Sequence, residues 1–243
     1  MRINVLPTPK AMGADAAVFI ANKLNQAIAS QGYARLLLST GASQFDMLEE
    51  LVRQDVAWNK VTMFHLDEYV GLSEQHPASF RKYLKERVVS KVPFAEAVFV
   101  NGEGDVKENI TFLSNRIREA EIDVAAIGIG ENGHIAFNDP PADFDTEESY
   151  IVVKLDERCR LQQVGEGWFP GMDAVPETAI SMTVRQMLRA KCIVSVVPHA
   201  VKADAVQKTL AQEVNNLVPA TILKTHPDWH LYLDAQSAQG FLK

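Results

Sequence analysis

The chain has 243 residues, 47% of them hydrophobic and 23% charged, which excludes disordered and low-complexity classes. Twenty-four Lys and Arg against 31 Asp and Glu give a net charge of −7, which argues against nucleic acid or anionic membrane as general partners. With no apolar run near the roughly 20 residues that span a bilayer, no signal-peptide pattern, and only Cys159 and Cys192 as cysteines, the expectation is a soluble cytoplasmic protein with reduced thiols.

Ile3 to Leu6 reads as a first strand, and Ala17, Ile20, Ala21, Leu24 and Ile28 share one helical face that Gly32 ends. Ala34 to Leu38 reads as a buried strand and Phe45 to Val52 as a helix. Val61 to Leu66 is the next strand; Phe80, Leu84 and Val88 are spaced for a helix, as are Ile110, Leu113 and Ile117. Strands follow at Val124 to Ile129, Ile151 to Val153, Ala179 to Met182 and Cys192 to Val197, then a helix from His199 to Leu210 and a last strand from Trp229 to Leu233. Strands that are apolar throughout, separated by helices, predict an α/β fold: a doubly wound, mostly parallel central sheet with helices on both faces, Rossmann-like. Without repeats or linkers, residues 1–243 read as a single domain. The loops at 139–146 and 165–176 are candidates for lids or for contacts in a homo-oligomer.

Ligands of an open parallel sheet bind beyond the carboxyl ends of its strands, and four such ends here carry chemistry. The first is Ser39-Thr40-Gly41-Ala42-Ser43, where small residues and hydroxyls before a helix suit a phosphate. The same stretch also suits an ordinary tight turn with a Ser cap. The second is His65-Leu66-Asp67-Glu68-Tyr69. An acidic pair directly after a buried strand is placed for proton transfer; alternatively Asp67 caps the next segment and Glu68 is solvated. His65 reads as a core or supporting histidine.

The third end runs from Gly128 to Pro140. Gly128-x-Gly130-x-x-Gly133 matches a dinucleotide fingerprint, but it lies mid-chain and leads to Pro140-Pro141 rather than a long helix. Gly130 and Gly133 are read instead as bringing backbone close to a substrate and presenting His134, which Asp139 can orient. The fourth is Lys202 in the first turn of a helix, where a cation opposes the helix dipole unless it meets an anion; the other reading is a flexible surface lysine. A metal held by His65, Asp67, His134 and Asp139 ranks below a metal-free reading, since no HExxH or Cys/His cluster is present. No GxSxG elbow supports a serine hydrolase.

Leu66-Asp67-Glu68-Tyr69-Val70-Gly71 followed by His76-Pro77, with Gly128-Ile129-Gly130-Glu131-Asn132-Gly133-His134-Ile135-Ala136-Phe137-Asn138, resembles the glucosamine-6-phosphate deaminase/isomerase family, which shares its fold with 6-phosphogluconolactonase. The lactonase branch usually carries Asp-Glu-Arg and His-Thr-Ala-Ser-Leu-Phe at these places, so the chain resembles the deaminase branch. The resemblance implies an aldose–ketose isomerising deaminase that turns glucosamine 6-phosphate into fructose 6-phosphate and ammonia without a cofactor. It implies Asp67 as the base, His134 as the group assisting ring opening, Asp139 as its orienting partner, and Ser39, Thr40, Gly41, Ala42, Ser43 and Lys202 as the phosphate site. The alternatives are a 6-phosphogluconolactonase-like hydrolase and a non-catalytic phosphosugar sensor. Asn132 stands where the family commonly has Asp, and Asp139 where it has Glu; Asn132 can hydrogen-bond His134 but cannot share its charge. An Arg that the family places before a Phe-Phe pair is replaced by Gly165-Glu166-Gly167-Trp168-Phe169, leaving Arg158 or Arg160 as substitutes.

Overall fold

A computed structural model describes residues 1–240. The chain runs β1 (Arg2–Leu6), α1 (Pro9–Gln31), β2 (Ala34–Leu38), α2 (Phe45–Leu51), β3 (Val61–His65), β4 (Asp67–Tyr69), α3 (Phe80–Leu84), β5 (Glu96–Val98), α4 (Val106–Arg118) and β6 (Val124–Ala126). It continues through β7 (Tyr150–Lys154), α5 (Glu157–Gly165), β8 (Thr178–Met182), α6 (Val184–Leu188), β9 (Ile193–Val197), α7 (Ala203–Ala211) and β10 (Trp229–Asp234). Seven strands form the central sheet in the order β1-β10-β9-β6-β2-β3-β5, and every pairing is parallel.

Period-two alternation sorts each central strand onto two cores. Leu36, Leu38, Val124, Ala126, Val194 and Val196 pack with α1 and α2 on one face. Leu37, Ala125, Ile193, Val197, Leu231 and Leu233 pack with α4, α6 and α7 on the other. Thr8 caps α1 through its side chain, with Pro9 at the first helical position, and Gly32 closes the helix in the left-handed region. A side chain at Gly13 would approach Met47 N to 2.7 Å, so this glycine sets how closely α2 lies on α1.

A second sheet, β4-β8-β7, is antiparallel. The strands expected at 151–153 and 179–182 belong to it and not to the central sheet. β7 shows why: it is buried only at Tyr150 and exposed at Val152, the pattern of a strand with one wet face. Further departures are local. The strand expected to reach Ile129 stops at Ala126, where the glycine-rich turn begins. The helix expected from His199 is split, because His199 has φ 77° and a 3-10 turn, Ala200–Lys202, precedes α7. The helix through Phe80 and Val88 continues beyond α3 as a π turn, Lys85–Val89. β4, β5, α5 and α6 were not anticipated as elements. No described helix is long and apolar enough to cross a membrane.

Candidate active site

The four strand ends meet, together with Phe80 and the end of α5, in one open cleft at the carboxyl edge of the central sheet. The loop after β2 forms its floor. Gly41 adopts φ 100° and ψ 161°, a conformation that side chains disfavour, and so turns the backbone from strand to helix. Its carbonyl accepts from the Tyr83 hydroxyl (2.9 Å) and from Gln44 N (3.1 Å). Gln44 is fully buried and donates to Val196 O (3.0 Å) and Ser43 Oγ (2.9 Å), which ties the loop to β9. Ser39 Oγ is buried and has no hydrogen-bond partner among the described residues, an uncommon condition that a ligand oxygen would relieve.

Leaving β3, the chain crosses at Leu66 into the second sheet, where Asp67 lies opposite Ser181. Alternation along β4 sends Asp67 into the cleft and Glu68 away from it. Asp67 is 6% exposed; burial, with the charge of Glu68 second, pushes its carboxyl up to about 8. Glu68 is fully buried and not solvated. It accepts from Ser79 Oγ (2.9 Å), Arg81 N (2.9 Å) and Tyr69 N (3.1 Å), and pairs with Arg81 Nε (3.3 Å). His65 lies in the core, where burial and then the charge of Arg81 hold its imidazole down at about 3. Its Nδ1 accepts from Val100 N (3.3 Å), so it does not join Asp67 in the cleft.

The third segment presents His134 across the cleft from the loop. A Cβ at Gly130 would overlap the His134 ring, and one at Gly133, which has φ 85°, would lie 2.9 Å from Val218 Cγ1. Gly130 lines the cleft, whereas Gly133 serves the turn. His134 Nδ1 stands 3.0 Å from Asp139 Oδ1. Asn132 reaches the imidazole only indirectly: its Oδ1 accepts from the backbone N–H of His134 (3.1 Å), and its Nδ2 donates to Asp139 Oδ1 (3.1 Å). Burial pushes Asp139 up, but His134, Asn132 and the Asp156 N–H outweigh it and hold the carboxyl below its ordinary value. Asn138 fixes the turn by donating to Ile135 O and Met182 O, both at 2.9 Å.

Lys202, the fourth contribution, lines the cleft and is only 6% exposed, not a flexible surface lysine. Burial lowers its ammonium, against the raising charges of Glu166 and Glu131.

Residues 7–231 match the family described as glucosamine-6-phosphate isomerases/6-phosphogluconolactonase. The chain belongs to this family. A glucosamine-6-phosphate deaminase of Staphylococcus epidermidis is 33% identical over 236 residues, covering 93% of this chain and 96% of the relative. One from Streptococcus pneumoniae serotype 4 is 33% identical over 209 residues, covering 86% and 88%. The solved structure of a monomeric glucosamine-6-phosphate deaminase superposes with a TM-score of 0.91 at 27% identity, covering 99% of this chain and 100% of that one. A 6-phosphogluconolactonase of Shewanella baltica shares the fold, with a TM-score of 0.80 at 16% identity, covering 97% of this chain and 98% of that one.

Neither arginine expected to stand in for the family's phosphate-binding Arg reaches the cleft. Arg160 turns the other way and donates to Met172 O (2.7 Å) and Val175 O (3.0 Å), holding the segment after α5. Arg158 lines a separate surface hollow with Asp156 and Lys208. The cleft instead receives Gln162, Gln163 and Glu166 from the end of α5, which the sequence reading left out. The available signal was Asp156, a helix cap whose side chain accepts from Cys159 N (2.7 Å).

Among the described residues, two mixed sets of donor atoms lie within 4.8 Å of one another, His134–Asp139–Cys159 and Cys192–Asp228–His230. In the second, Asp228 already serves His230 Nε2 (2.8 Å) and Lys23 Nζ (2.8 Å).

Proposed function

We propose that this chain, acting as a single domain, is an aldose–ketose isomerising deaminase of an amino-sugar phosphate, taking glucosamine 6-phosphate and water to fructose 6-phosphate and ammonia. The observation that carries the reading is one cleft holding a buried carboxyl, Asp67, an imidazole–carboxylate pair, His134 and Asp139, and an anion-suited loop with Lys202. In this reading the phosphate sits on residues 39–43 and Lys202, where backbone N–H groups, hydroxyls and an ammonium converge. His134 moves the proton that opens the pyranose ring, with Asp139 steadying the charge that the imidazole gains. Asp67 takes the proton from C2 of the open chain and returns it to C1. The C2 iminium so formed adds water and releases ammonia. A base near 8 suits that shuttle, since it can hold a proton for part of the cycle and give it back. The identity to two deaminases supports this reaction, while the lactonases support only the fold.

The test is direct. Purified protein is incubated with glucosamine 6-phosphate and, separately, with 6-phosphogluconolactone. Ammonia and fructose 6-phosphate in equal amounts are expected. Lactone hydrolysis without ammonia would overturn the reading, and a panel of epimeric amino-sugar phosphates fixes the substrate.

A further inference from the structure

Among the described residues, Lys202 is the one Lys or Arg lining the cleft, and two acids, Asp67 and Glu166, line it as well. A phosphate dianion therefore enters a wall with a single cation and a carboxylate close by. Glu166 caps the C-terminal end of α5, whose terminal carbonyls add partial negative charge on the same side. Glu166 is exposed, and two surface hydrogen bonds orient its carboxylate: Oε1 accepts from Gln162 Nε2 (2.7 Å) and Oε2 from Trp168 Nε1 (3.0 Å). Gly167, with φ 80°, makes the reversal that brings Trp168 back onto α5, where its N–H donates to Gln163 O (3.0 Å). The position of Glu166 is marked by what its charge acts on. Burial lowers the Lys202 ammonium and the charge of Glu166 raises it, as expected of two opposite charges that line one cleft. Lys202 does not spend itself on this acid, since no ion pair joins the two.

We propose that Glu166 is a specificity-determining residue that weakens the hold on the phosphate group and penalises more highly charged anions in this cleft. The inference rests on the reading of residues 39–43 and Lys202 as the phosphate end. Swinging the carboxylate away from the cleft rim gives up two hydrogen bonds, so its charge stays on the wall that a bound dianion enters. Glu166 is exposed at the rim of the cleft, where the effective dielectric approaches that of water, and the repulsion of a dianion by one carboxylate there weakens binding by roughly three- to tenfold. The repulsion acts on substrate and on any phosphorylated product, so it favours release and leaves the proton transfers at Asp67 untouched.

The experiment compares wild type, Glu166→Gln and Glu166→Asp. Inorganic phosphate affinity is measured by titration calorimetry, and KM and kcat are measured on glucosamine 6-phosphate. In Glu166→Gln, phosphate is expected to bind three- to tenfold more tightly and KM to fall in parallel, with kcat within about twofold of wild type. Glu166→Asp keeps the charge and is expected to bind phosphate as weakly as wild type. Unchanged or weaker phosphate binding in Glu166→Gln would overturn the proposal, as would equal tightening in Glu166→Asp, which would point to the lost anchor rather than to charge. No phosphate binding by either protein overturns it too. Because calorimetry needs no turnover, a wild type that releases no ammonia defeats the proposed reaction while the phosphate arm still judges Glu166.

Discussion

Asp67 and Glu68 are adjacent carboxyls with opposite surroundings. Glu68 is surrounded by donors and a guanidinium, whereas Asp67 faces the cleft with only the Phe137 N–H to offset its burial. Asp67→Asn is expected to cut turnover roughly 10²–10⁴-fold or more while leaving phosphosugar binding in place. It is also expected to change stability with a definite sign. A carboxyl raised to about 8 in the folded chain, against about 3.9 unfolded, binds its proton more tightly when folded. Wild-type stability therefore drops as pH rises from about 4 through 8 on account of this group. The amide does not titrate, so melting curves of Asp67→Asn are expected to match wild type below about pH 4 and to exceed it increasingly up to about pH 8 and beyond. Lys202→Ala removes one charge-assisted contact worth about 1.5–3 kcal/mol, so phosphosugar affinity is expected to fall roughly 10- to 100-fold in a titration. Asn132→Asp sets a second carboxylate beside Asp139, where Asn132 now donates at 3.1 Å. The pH–rate limb carried by the His134–Asp139 pair is expected to move to higher pH, because a second carboxylate favours the proton on the pair. Superimposable profiles would remove Asn132 from that role.

Among the elements, the glycine-rich turn shows how much geometry rests on one missing side chain. Gly130 leaves the room that the His134 ring occupies, and its N–H closes the turn by donating to His134 O (2.9 Å). Gly130→Ala is expected to keep the fold and lose at least 10²-fold in kcat, because an imidazole pushed off by an ångström no longer meets its substrate atom. A kcat near wild type would show that the ring sits elsewhere during the reaction. The sequence made this turn legible because glycines, a histidine and a carboxylate are close together in the chain. The loop at 39–43 was legible for the same local reason. α5 was not: its cleft-facing Gln162, Gln163 and Glu166 form no apolar stripe, and only tertiary contact turns them toward the site. Arg160 misled because closeness in sequence says nothing about which way a guanidinium points; two loop carbonyls claim it.

At the scale of the whole molecule, the central sheet could be read from its strands, whose uniform burial leaves an apolar signature. The second sheet could not, because β4 has three residues, two of them acidic, and no pattern that marks a strand. Glu68 is tolerated inside because Arg81 of α3 ties it to the flanking loops: the guanidinium bonds Glu68, Leu72 O (2.9 Å) and Glu103 (2.8 Å) at once. Arg81→Met strands the Glu68 charge and is expected to cost about 3–5 kcal/mol in urea unfolding, with much of the loss recovered in the double variant Arg81→Met/Glu68→Gln.

The crossing at Leu66 also limits how the gene can change. Side chains alternate through Asp67, Glu68 and Tyr69, so inserting or deleting one codon between His65 and Tyr69 would exchange the two acids. Glu68 would then enter the cleft, and Asp67 would face Arg81 with one methylene too few. Point substitutions in this stretch can be buffered by neighbours, but a change of length cannot, and tolerated insertions and deletions are confined to exposed loops such as 143–148.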